Sequence, residues 1–381
     1  MMVEAASELG VRTVVLAARA DDAAVPVASE VVLGEATGGR ALRDLVARCD
    51  VVTFDHEQVD LELLHRLERD GARLRPRLQT LRVAVDKAEM RTRLAAEGLP
   101  VPCFEVLAGD ARDPEELASA ICKFAATEGW PVVAKAARGG YDGKGIWSID
   151  GETTARALCE GATRARIPLL VEAHVGIDVE LAVVVARGQD GASVAWPPVE
   201  TAQVGGVCRE VRYPGRVDPD LAYRAASLAQ EVAAVVGATG VLAVELFSSD
   251  GRLLVNEIAA RPHNSAHWTI EGATTSQFEN HVRAVLGLPL GDTSTLAAHV
   301  ASVNVFGAPP GEAEDPGERM SAALSVRGAH VHLYGKTPRP GRKLGHVTVC
   351  GDDPADVRTR AWAAAQALGT PVPDSFDVGA P

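Results

Sequence analysis

Two hydrophobic periods alternate along the first 80 residues of the chain. Apolar runs such as "VRTVVLAA" and "VVTFDHE" are typical of strands, whereas "MMVEAASELG", "ALRDLVARCD" and "LELLHRLERDG" have the spacing of amphipathic helices. Strands that alternate with helices predict a parallel, doubly wound sheet. We therefore predict an N-terminal β/α domain with a doubly wound sheet over residues 1–80.

A larger body of helices and strands is predicted for residues 81–308. The segment "VAVDKAEMRTRLAAEGLPVPCFEVL" predicts a helix that ends at Gly98, after which two prolines force an extended connection. A lid subdomain follows over about 103–170, where strands such as "PVVAK" and "GIWSI" alternate with helices such as "PEELASAICKFAATEG". Beyond it we predict further strands, a helix over 219–237 and the hairpin "GVLAVELFSSDGRLLVNEIAARP".

The composition changes near residue 309, where "APPGEAEDPG" is typical of a linker. The short strand patterns "AHVHLYGK" and "GRKLGHVTVC" follow it, and they predict a small β-rich C-terminal domain over residues 309–381. The complete pattern indicates an α/β protein of several domains, with α+β character in its later parts.

Charge and cysteine content narrow the range of partners. The net charge is −13, which disfavours a broad surface for nucleic acid or anionic membranes but leaves room for a local basic pocket. The longest apolar stretch, "VAAVVGATGVLAVELF", is interrupted by "GATG" and contains Glu245, so it is a poor membrane span. Six scattered cysteines without a CxxC pair are typical of a reduced, cytoplasmic protein.

The glycine-rich segment "VVAKAARGGYDGKG" is the first candidate for ligand binding. Glycines such as Gly140 and Gly143 let backbone N–H groups turn toward an anion, and Lys135 at the end of the strand can offer an ammonium to a phosphate. The spacing is neither a Walker A motif nor a GxGxxG fingerprint. A loose hairpin loop would explain the glycines alone, but such a loop has no need of Tyr141 and Lys144.

Two glutamates on the predicted hairpin form the second candidate site. Glu245 and Glu257 lie in strands that are otherwise apolar, where a carboxylate is unfavourable unless it meets a cation. Together with an amide from Asn256 or Asn264, they offer hard oxygen ligands that suit Mg²⁺. A two-residue "DG" turn would pair Glu245 with Asn256, so we predict a bulge, with Gly251 left-handed in a three-residue loop.

The order of these motifs resembles that of the ATP-grasp ligases. Three strings are more specific: "GGYDGKG", "NEIAARPHNSAHWTIEGATTSQFENHVRAVLGLPL" and "YGKTPRPGRKLGH". Together they are similar to the N5-carboxyaminoimidazole ribonucleotide synthases over about residues 1–350. The resemblance implies an ATP-grasp fold with a nucleotide-type N-terminal domain and a small C-terminal domain.

The resemblance also implies roles for residues that match the family's motifs. The residues that would bind ATP are Lys87 and Lys135 at the phosphates, Gly140 and Gly143 in the loop, Glu172 and the backbone at Val175 around adenine, and Glu180 at the ribose. Glu245 and Glu257 would hold Mg²⁺, with Mn²⁺ as an alternative. The residues that would carry the chemistry are Lys135, Arg261, His263 and Asn264.

A second group of residues would bind the ribonucleotide substrate. These are Glu57, Tyr141, Asp142, Lys144, His263 and Asn264, with Lys336, Arg339 and Arg342 around the 5′-phosphate. On charge alone, Arg339, Arg342 and Lys343 would be a solvated basic rim, and only the matching string suggests binding. Glu57 matches a family glutamate near the aminoimidazole, although the usual first acid of that motif corresponds to Asp55.

The implied activity is ATP-dependent carboxylation of 5-aminoimidazole ribonucleotide with bicarbonate, through carboxyphosphate, by a homodimer. The glycine loop would then be both a lid and a reader of the substrate, since carboxyphosphate must be kept from water. Two alternatives stay open: another ATP-grasp carboxylate–amine ligase, and a nucleotide-binding protein without catalysis.

The start of the sequence departs from the family pattern. Family members open with a strand and a "GGGQLxRM"-like loop, and this chain begins with "MM", which corresponds to the end of that motif. The absent strand would be central in the sheet, so a chain of these residues alone is expected to be poorly soluble or to bind substrate weakly. We favour a start placed too late over an impaired relative.

Overall fold

The computed structural model describes residues 1–107, 113–140, 143–308 and 316–373. The N-terminal part contains α1 (Met2–Glu8), β1 (Val14–Ala17), β2 (Glu30–Leu33), α2 (Gly39–Arg48) and α3 (Leu61–Arg69). Strands β1 and β2 pair in parallel. The predicted strand "VVTFDHE" is wrong, because Val52 forms only an isolated parallel bridge with Leu74 and no ladder continues from it.

The next segment forms two helices where the sequence pattern predicted one. They are α4 (Leu78–Val85) and α5 (Lys87–Ala96). The chain breaks at Asp86, which is extended and whose carboxylate accepts hydrogen bonds from the N–H groups of Ala88 and Glu89. An aspartate that caps a new helix satisfies orphan backbone donors, so the break is stabilised locally. It places Lys87 at the first position of α5.

A four-stranded antiparallel sheet with two helices follows, and we refer to it as the lid. Its elements are β3 (Phe104–Leu107), α6 (Pro114–Glu128), β4 (Val132–Ala136), β5 (Ile146–Ile149), α7 (Glu152–Ala165) and β6 (Leu169–Ala173). The strand order is β3-β6-β4-β5. Ile121, Val132 and Cys159 are fully buried between the helices and the sheet. The lid therefore has a core of its own.

The remaining strands of the body belong to one large sheet. The elements are β7 (Val179–Arg187), β8 (Ser193–Ala195), β9 (Val199–Val204), β10 (Val207–Tyr213), α8 (Pro219–Val235), β11 (Gly240–Ser249), β12 (Arg252–Ala259), α9 (Thr269–Gly272), α10 (Gln277–Leu286) and β13 (His299–Phe306). Helix α8 buries Ala225, Ala229 and Val232 against this sheet. Among the described residues, no helix combines the length and the apolar character that crossing a membrane requires.

The C-terminal part extends the same sheet. It contains α11 (Met320–Leu324), β14 (Ala329–Leu333), β15 (Lys343–Gly351) and α12 (Pro354–Ala367), and residues 309–315 of the predicted linker lie outside the described ranges. The strand order of the sheet is β12-β11-β7-β9-β10-β13-β15-β14, with β8 beside β7. The predicted β-rich character missed α12, whose alanine-rich sequence is capped by Asp353 and buries Trp362. The boundaries at residues 80 and 308 stay predictions.

Candidate active site

The hairpin of β11 and β12 brings the two predicted metal ligands face to face. Glu245 pairs directly with Glu257, which confirms that the two carboxylates share one side of the hairpin. The position of the bulge was predicted wrongly. The turn is a two-residue loop, with Asp250 and Gly251 both at positive φ (50° and 71°), and the register shifts within the strands so that Asn256 is the extra residue.

The two carboxylates create a surplus of negative charge. Burial, together with the charges of Glu257 and Glu180, raises the pKa of Glu245 to about 7. The Lys87 ammonium pairs with Glu257, and the Lys87 backbone N–H donates to the Ala137 carbonyl (2.8 Å). The start of α5 is thereby fixed against the chain that leaves β4. A cation beside Glu245 would be favourable here, because carboxylates this close repel each other.

A buried ion network lies between the lid and α5. Lys135 Nζ is 2.7 Å from Glu172 Oε2 and 3.1 Å from Asn256 Oδ1. The other oxygen of Glu172 is 2.6 Å from Nε of Arg91, a residue that the sequence motifs did not single out. Burial alone would raise the pKa of Glu172, but Arg91 and Lys135 outweigh it and keep that pKa below its ordinary value. Lys135 therefore meets an ionised carboxylate.

The connection from the lid to the large sheet carries the predicted adenine and ribose ligands. Val175 lies in the short coil between β6 and β7, where it is half-buried. Glu180 lies on β7, and its carboxylate accepts a hydrogen bond from Nε2 of Gln203 (2.8 Å). Burial raises the pKa of Glu180. Val175 and Glu180 thus lie close together along the connection between the lid and the large sheet.

The glycine loop of the lid lies close to the turn between β9 and β10. Gly143 has a φ of 75°, and a Cβ there would lie 3.0 Å from the Gly205 carbonyl oxygen and 3.1 Å from the Gly206 Cα. A larger residue at position 143 would therefore be strained and would press on this turn. Lys144 is exposed, and Gly140 is half-buried. Tyr141 and Asp142 lie outside the described residues.

The predicted catalytic loop follows β12. Arg261 Nε is 2.5 Å from Glu57 Oε2, so an ion pair joins this loop to the N-terminal part. The other carboxylate oxygen of Glu57 is buried and has no hydrogen-bond partner among the described residues. His263 Nε2 is 3.7 Å from Glu245 Oε1. Asn264 begins a 3₁₀ turn over Asn264–Ala266. The structure thus brings Arg261, His263 and Glu245 to one side of the cleft.

A buried glutamine that the sequence motifs did not reveal holds this loop. Gln277 is fully buried; its Oε1 accepts from the His263 N–H (2.8 Å), and its Nε2 donates to the His263 carbonyl (2.7 Å). The same Nε2 lies 2.9 Å from Nδ1 of His267. Burial, followed by the charges of Arg261 and Lys343, lowers the pKa of His263 well below 6.5. His263 is therefore neutral near pH 7.

The three predicted phosphate ligands share the loop between β14 and β15. Lys336 and Arg339 are exposed, while Arg342 is half-buried and donates through Nη1 to the Thr337 carbonyl (2.9 Å). Lys336 Nζ lies 5.2 Å from the ring centroid of Tyr334. Lys343, the first residue of β15, was left out of the predicted site, yet its charge acts on both His263 and Glu245. The basic loop therefore borders the catalytic loop.

Comparisons with known protein families divide the chain into three matches. The ribonucleotide synthetase preATP-grasp domain matches residues 1–85, the ATP-grasp domain matches residues 92–278, and the phosphoribosylaminoimidazole carboxylase C-terminal domain matches residues 301–360. The three matches follow one another in the order that the fold shows. The ATP-grasp match includes the lid, the glutamate hairpin and most of the buried ion network.

Relatives and solved structures with the same name match nearly the whole chain. N5-carboxyaminoimidazole ribonucleotide synthase of Mycobacterium tuberculosis is 45% identical over 368 residues, which are 96% of this chain and 84% of the relative. The enzyme of Corynebacterium ammoniagenes is 42% identical over 374 residues, 97% of this chain and 89% of the relative.

Among solved structures, the synthetase of Thermus thermophilus has a TM-score of 0.82 at 34% identity, covering 96% of this chain and 95% of that one. The Aspergillus clavatus enzyme in complex with ADP and 5-aminoimidazole ribonucleotide has a TM-score of 0.85 at 29% identity, covering 97% of this chain and 95% of that one. Both the sequence and the fold of this chain are therefore similar to those of these enzymes. The chain belongs to the N5-carboxyaminoimidazole ribonucleotide synthase family of ATP-grasp enzymes.

Proposed function

We propose that this chain carboxylates 5-aminoimidazole ribonucleotide with bicarbonate, using ATP, to give N5-carboxyaminoimidazole ribonucleotide, ADP and phosphate. The observation that carries the proposal is the pairing of Glu245 with Glu257 at one cleft with Lys87, Lys135 and His263. This arrangement combines what phosphoryl transfer needs, namely paired carboxylates for a metal and cations for the phosphates. The family to which the chain belongs supports the choice of substrates.

The residues of the hairpin fit a Mg²⁺ ion that carries nucleotide phosphates. Within the described ranges no cluster of three or more histidine, cysteine, aspartate or glutamate ligands is found, so the protein would supply two carboxylates and the phosphates would complete the shell. The raised pKa of Glu245 marks the negative charge that such an ion would neutralise. When bound, the ion would withdraw charge from the transferred phosphoryl group.

The nucleotide would occupy the cleft between the lid and the large sheet. Lys87 and Lys135 would contact the phosphates, with Gly140 and Gly143 of the loop closing over them. The backbone at Val175 would bind adenine, and Glu180 would accept from the ribose hydroxyls. Lys87 must then leave Glu257 for a phosphate, which is feasible because the Glu257 side chain is 39% exposed.

The ribonucleotide would lie on the other side of the glutamate hairpin. Its 5′-phosphate would meet Lys336, Arg339 and Arg342, and its aminoimidazole would meet Glu57, His263 and Asn264. The loop residues Tyr141, Asp142 and Lys144 would close over it. His263 is well suited to contact the neutral amine, since its low pKa leaves the imidazole itself uncharged near pH 7.

The chemistry would proceed in three steps. A bicarbonate oxygen attacks the γ-phosphorus of ATP and ADP leaves, giving carboxyphosphate; Lys135 and Arg261 stabilise the charge that develops. Carboxyphosphate then divides into CO₂ and phosphate. The exocyclic amine attacks CO₂ and loses a proton, which forms the carbamate of the product. The closed loop excludes water and so limits hydrolysis of carboxyphosphate.

Isotope incorporation tests the proposal directly. The chain is incubated with MgATP, carbon-labelled bicarbonate and 5-aminoimidazole ribonucleotide, and both phosphate release and labelled product are measured. We expect phosphate release that requires the ribonucleotide and matches the labelled carbon one to one. Phosphate release that is indifferent to the ribonucleotide, or that is stimulated without label in the product, would contradict the assignment.

We propose in addition that the protein is a homodimer, as the family resemblance implies. Sedimentation velocity over a range of concentrations tests it, since a dimer should sediment at twice the mass of 39.9 kDa. A species of 39.9 kDa throughout would contradict the proposal.

A further inference from the structure

The ion network behind the nucleotide cleft contains more positive than negative charge. Arg91 Nε contacts one oxygen of Glu172 at 2.6 Å, and Lys135 Nζ contacts the other at 2.7 Å. The side chains of Arg91, Glu172 and Lys135 are only 1%, 3% and 8% exposed, respectively. Two cations thus share one carboxylate, which leaves one positive charge in a buried place. A buried excess charge is unfavourable unless an anion meets it.

Both oxygens of Glu172 are occupied in this arrangement. The family resemblance placed Glu172 beside adenine, but its carboxylate is enclosed by Arg91 and Lys135. The side chain therefore acts as an internal counterion, and the backbone near it is the part that remains for the base. Lys135 is the member that reaches out of the network, because Nζ also lies 3.1 Å from Oδ1 of Asn256, beside the metal hairpin.

One nitrogen of the Arg91 guanidinium is unsatisfied within the described part of the chain. Nη1 of Arg91 is buried and has no hydrogen-bond partner among the described residues. A neutral residue in its place would leave Glu172 and Lys135 as an isolated ion pair, in which Lys135 is held closely by the full carboxylate charge. With Arg91 present, that charge is shared.

We propose that Arg91 is a positioning residue for the nucleotide: it engages Glu172 so that Lys135 stays oriented toward the polyphosphate with its charge available. This inference rests on the proposed function, since it assumes that nucleotide phosphates bind at Lys135. It adds a residue on α5, outside the motifs matched above, and changes the role of Glu172 from a base ligand to a support for Lys135.

Calorimetric binding of MgADP tests the inference without requiring turnover. The variants are Arg91→Met, Arg91→Lys, Glu172→Gln and the double variant Arg91→Met/Glu172→Gln. The matched control is Arg93→Met on the same helix, because Arg93 donates to the Val235 carbonyl (2.8 Å), away from the ion network. Melting temperatures are recorded for each variant, and Glu172→Gln, which preserves volume, serves if Arg91→Met does not fold.

We expect Arg91→Met and Glu172→Gln each to weaken MgADP binding by about tenfold, and Arg91→Lys by no more than about threefold. The double variant should bind about as weakly as the weaker single variant, because both changes disable the same support. Arg93→Met should bind like the parent. In turnover, Arg91→Met should raise KM for ATP and leave KM for the ribonucleotide within about twofold.

Several results would overturn the inference. Arg91→Met that melts earlier but binds MgADP like the parent would make the residue purely structural. Additive losses of about a hundredfold in the double variant would mean that Arg91 acts without Glu172. Failure of the parent chain to bind MgADP at all would contradict the proposed function as well, whereas binding by the parent without carboxylation would contradict the proposed function alone.

Discussion

The two halves of the cleft differ in how their charged groups are stabilised. The proposed nucleotide half contains Lys87, Arg91, Lys135, Glu172 and Glu257, which are paired with one another and lie on α5, β4, β6 and β12. The proposed substrate half is built on the loops that follow β12 and β14. Its buried His263 is uncharged near pH 7 because its pKa is low, and its cations Lys336 and Arg339 are exposed.

This difference has a physical reason. A polyphosphate carries several charges, so the ions that meet it must be fixed in advance, and burying them requires partners for each. In the proposed arrangement, the ribonucleotide would be bound partly by neutral groups around its base, which can be buried without counterions. Removal of one charge should therefore weaken binding in the nucleotide half. Addition of a proton or loss of a hydrogen bond should weaken binding in the substrate half.

The largest effect is expected from the metal hairpin. Glu245→Gln removes one of the two facing carboxylates, so phosphate release should fall on the order of a thousandfold because the metal that would neutralise the phosphates loses one of its two protein ligands. A titration with MgCl₂ at saturating ATP measures it. Glu231→Gln, on the exposed face of α8, is the control and should behave like the parent. Mg²⁺-dependent activity within about tenfold of the parent would refute the assignment.

A pH effect on stability should come from a buried histidine of α10 that belongs to neither half of the cleft. Burial lowers the pKa of His281 to about 4 from an ordinary 6.5. The Val241 N–H donates to Nδ1 (3.1 Å), so Nε2 carries the proton and donates to Thr53 Oγ1 (2.7 Å). Between pH 6.5 and 4 the unfolded chain binds more protons, so the contribution to stability is complete above pH 6.5 and is lost as the pH falls.

Urea unfolding between about pH 8 and pH 4 measures this contribution. The parent should lose up to about 3 kcal/mol more than His281→Gln over that range, from the difference of about 2.5 pKa units. Equal losses in both proteins would show that His281 is not the group responsible. Because His281 joins Thr53 of the N-terminal part to β11, acid should also loosen the contact between them.

Site residues could be predicted from the sequence where the residue type is unusual for its surroundings. Glu245 and Glu257 are carboxylates in apolar strands, and their pairing follows from the alternation of side chains once a bulge is assumed. The location of the bulge could not be predicted, because a three-residue loop and an extra residue at Asn256 give the same facing pair. Only backbone geometry distinguishes them.

The residues that were missed act through partners far along the chain. Arg91 matters because of Glu172, 81 positions away, and Gln277 because of His263, 14 positions away. In the sequence each is an ordinary polar residue at a helix position. The break at Asp86 was missed for the opposite reason, since apolar spacing continued through it while the capping carboxylate decided the local structure.

Gln277 offers a test confined to the substrate half. Gln277→Met preserves the volume but removes both hydrogen bonds to the His263 backbone, so His263 and Asn264 should lose their fixed position. We expect kcat/KM for the ribonucleotide to fall by about 10- to 100-fold, whereas binding of MgADP stays within about threefold. Initial rates at varied ribonucleotide concentration, with calorimetry for MgADP, measure the two effects.

The matched control is Asn280→Met on the same helix. Asn280 is equally buried, but it holds Gly291 through two hydrogen bonds (2.7 and 3.2 Å) instead of the catalytic loop. Both variants should melt earlier than the parent, and only Gln277→Met should lose activity toward the ribonucleotide. Similar losses of activity in the two variants would mean that general destabilisation explains the result.

The smallest effect is expected from the cations of the basic loop, of which Lys336 and Arg339 are exposed and Arg342 is half-buried. Lys336→Met, Arg339→Met and Arg342→Met should each raise KM for the ribonucleotide about two- to fivefold, because charge pairs that water can reach are screened and contribute at most about 1 kcal/mol. The increase should shrink as NaCl is raised from about 50 mM to 500 mM, since an about threefold shorter screening length weakens the attraction in the parent as well. Arg164→Met, on the exposed face of α7, is the control. A rise in KM of about a hundredfold or more that is insensitive to salt would show that this loop becomes buried around the phosphate. The contrast between the two halves of the cleft would then hold only for the protein without its substrates.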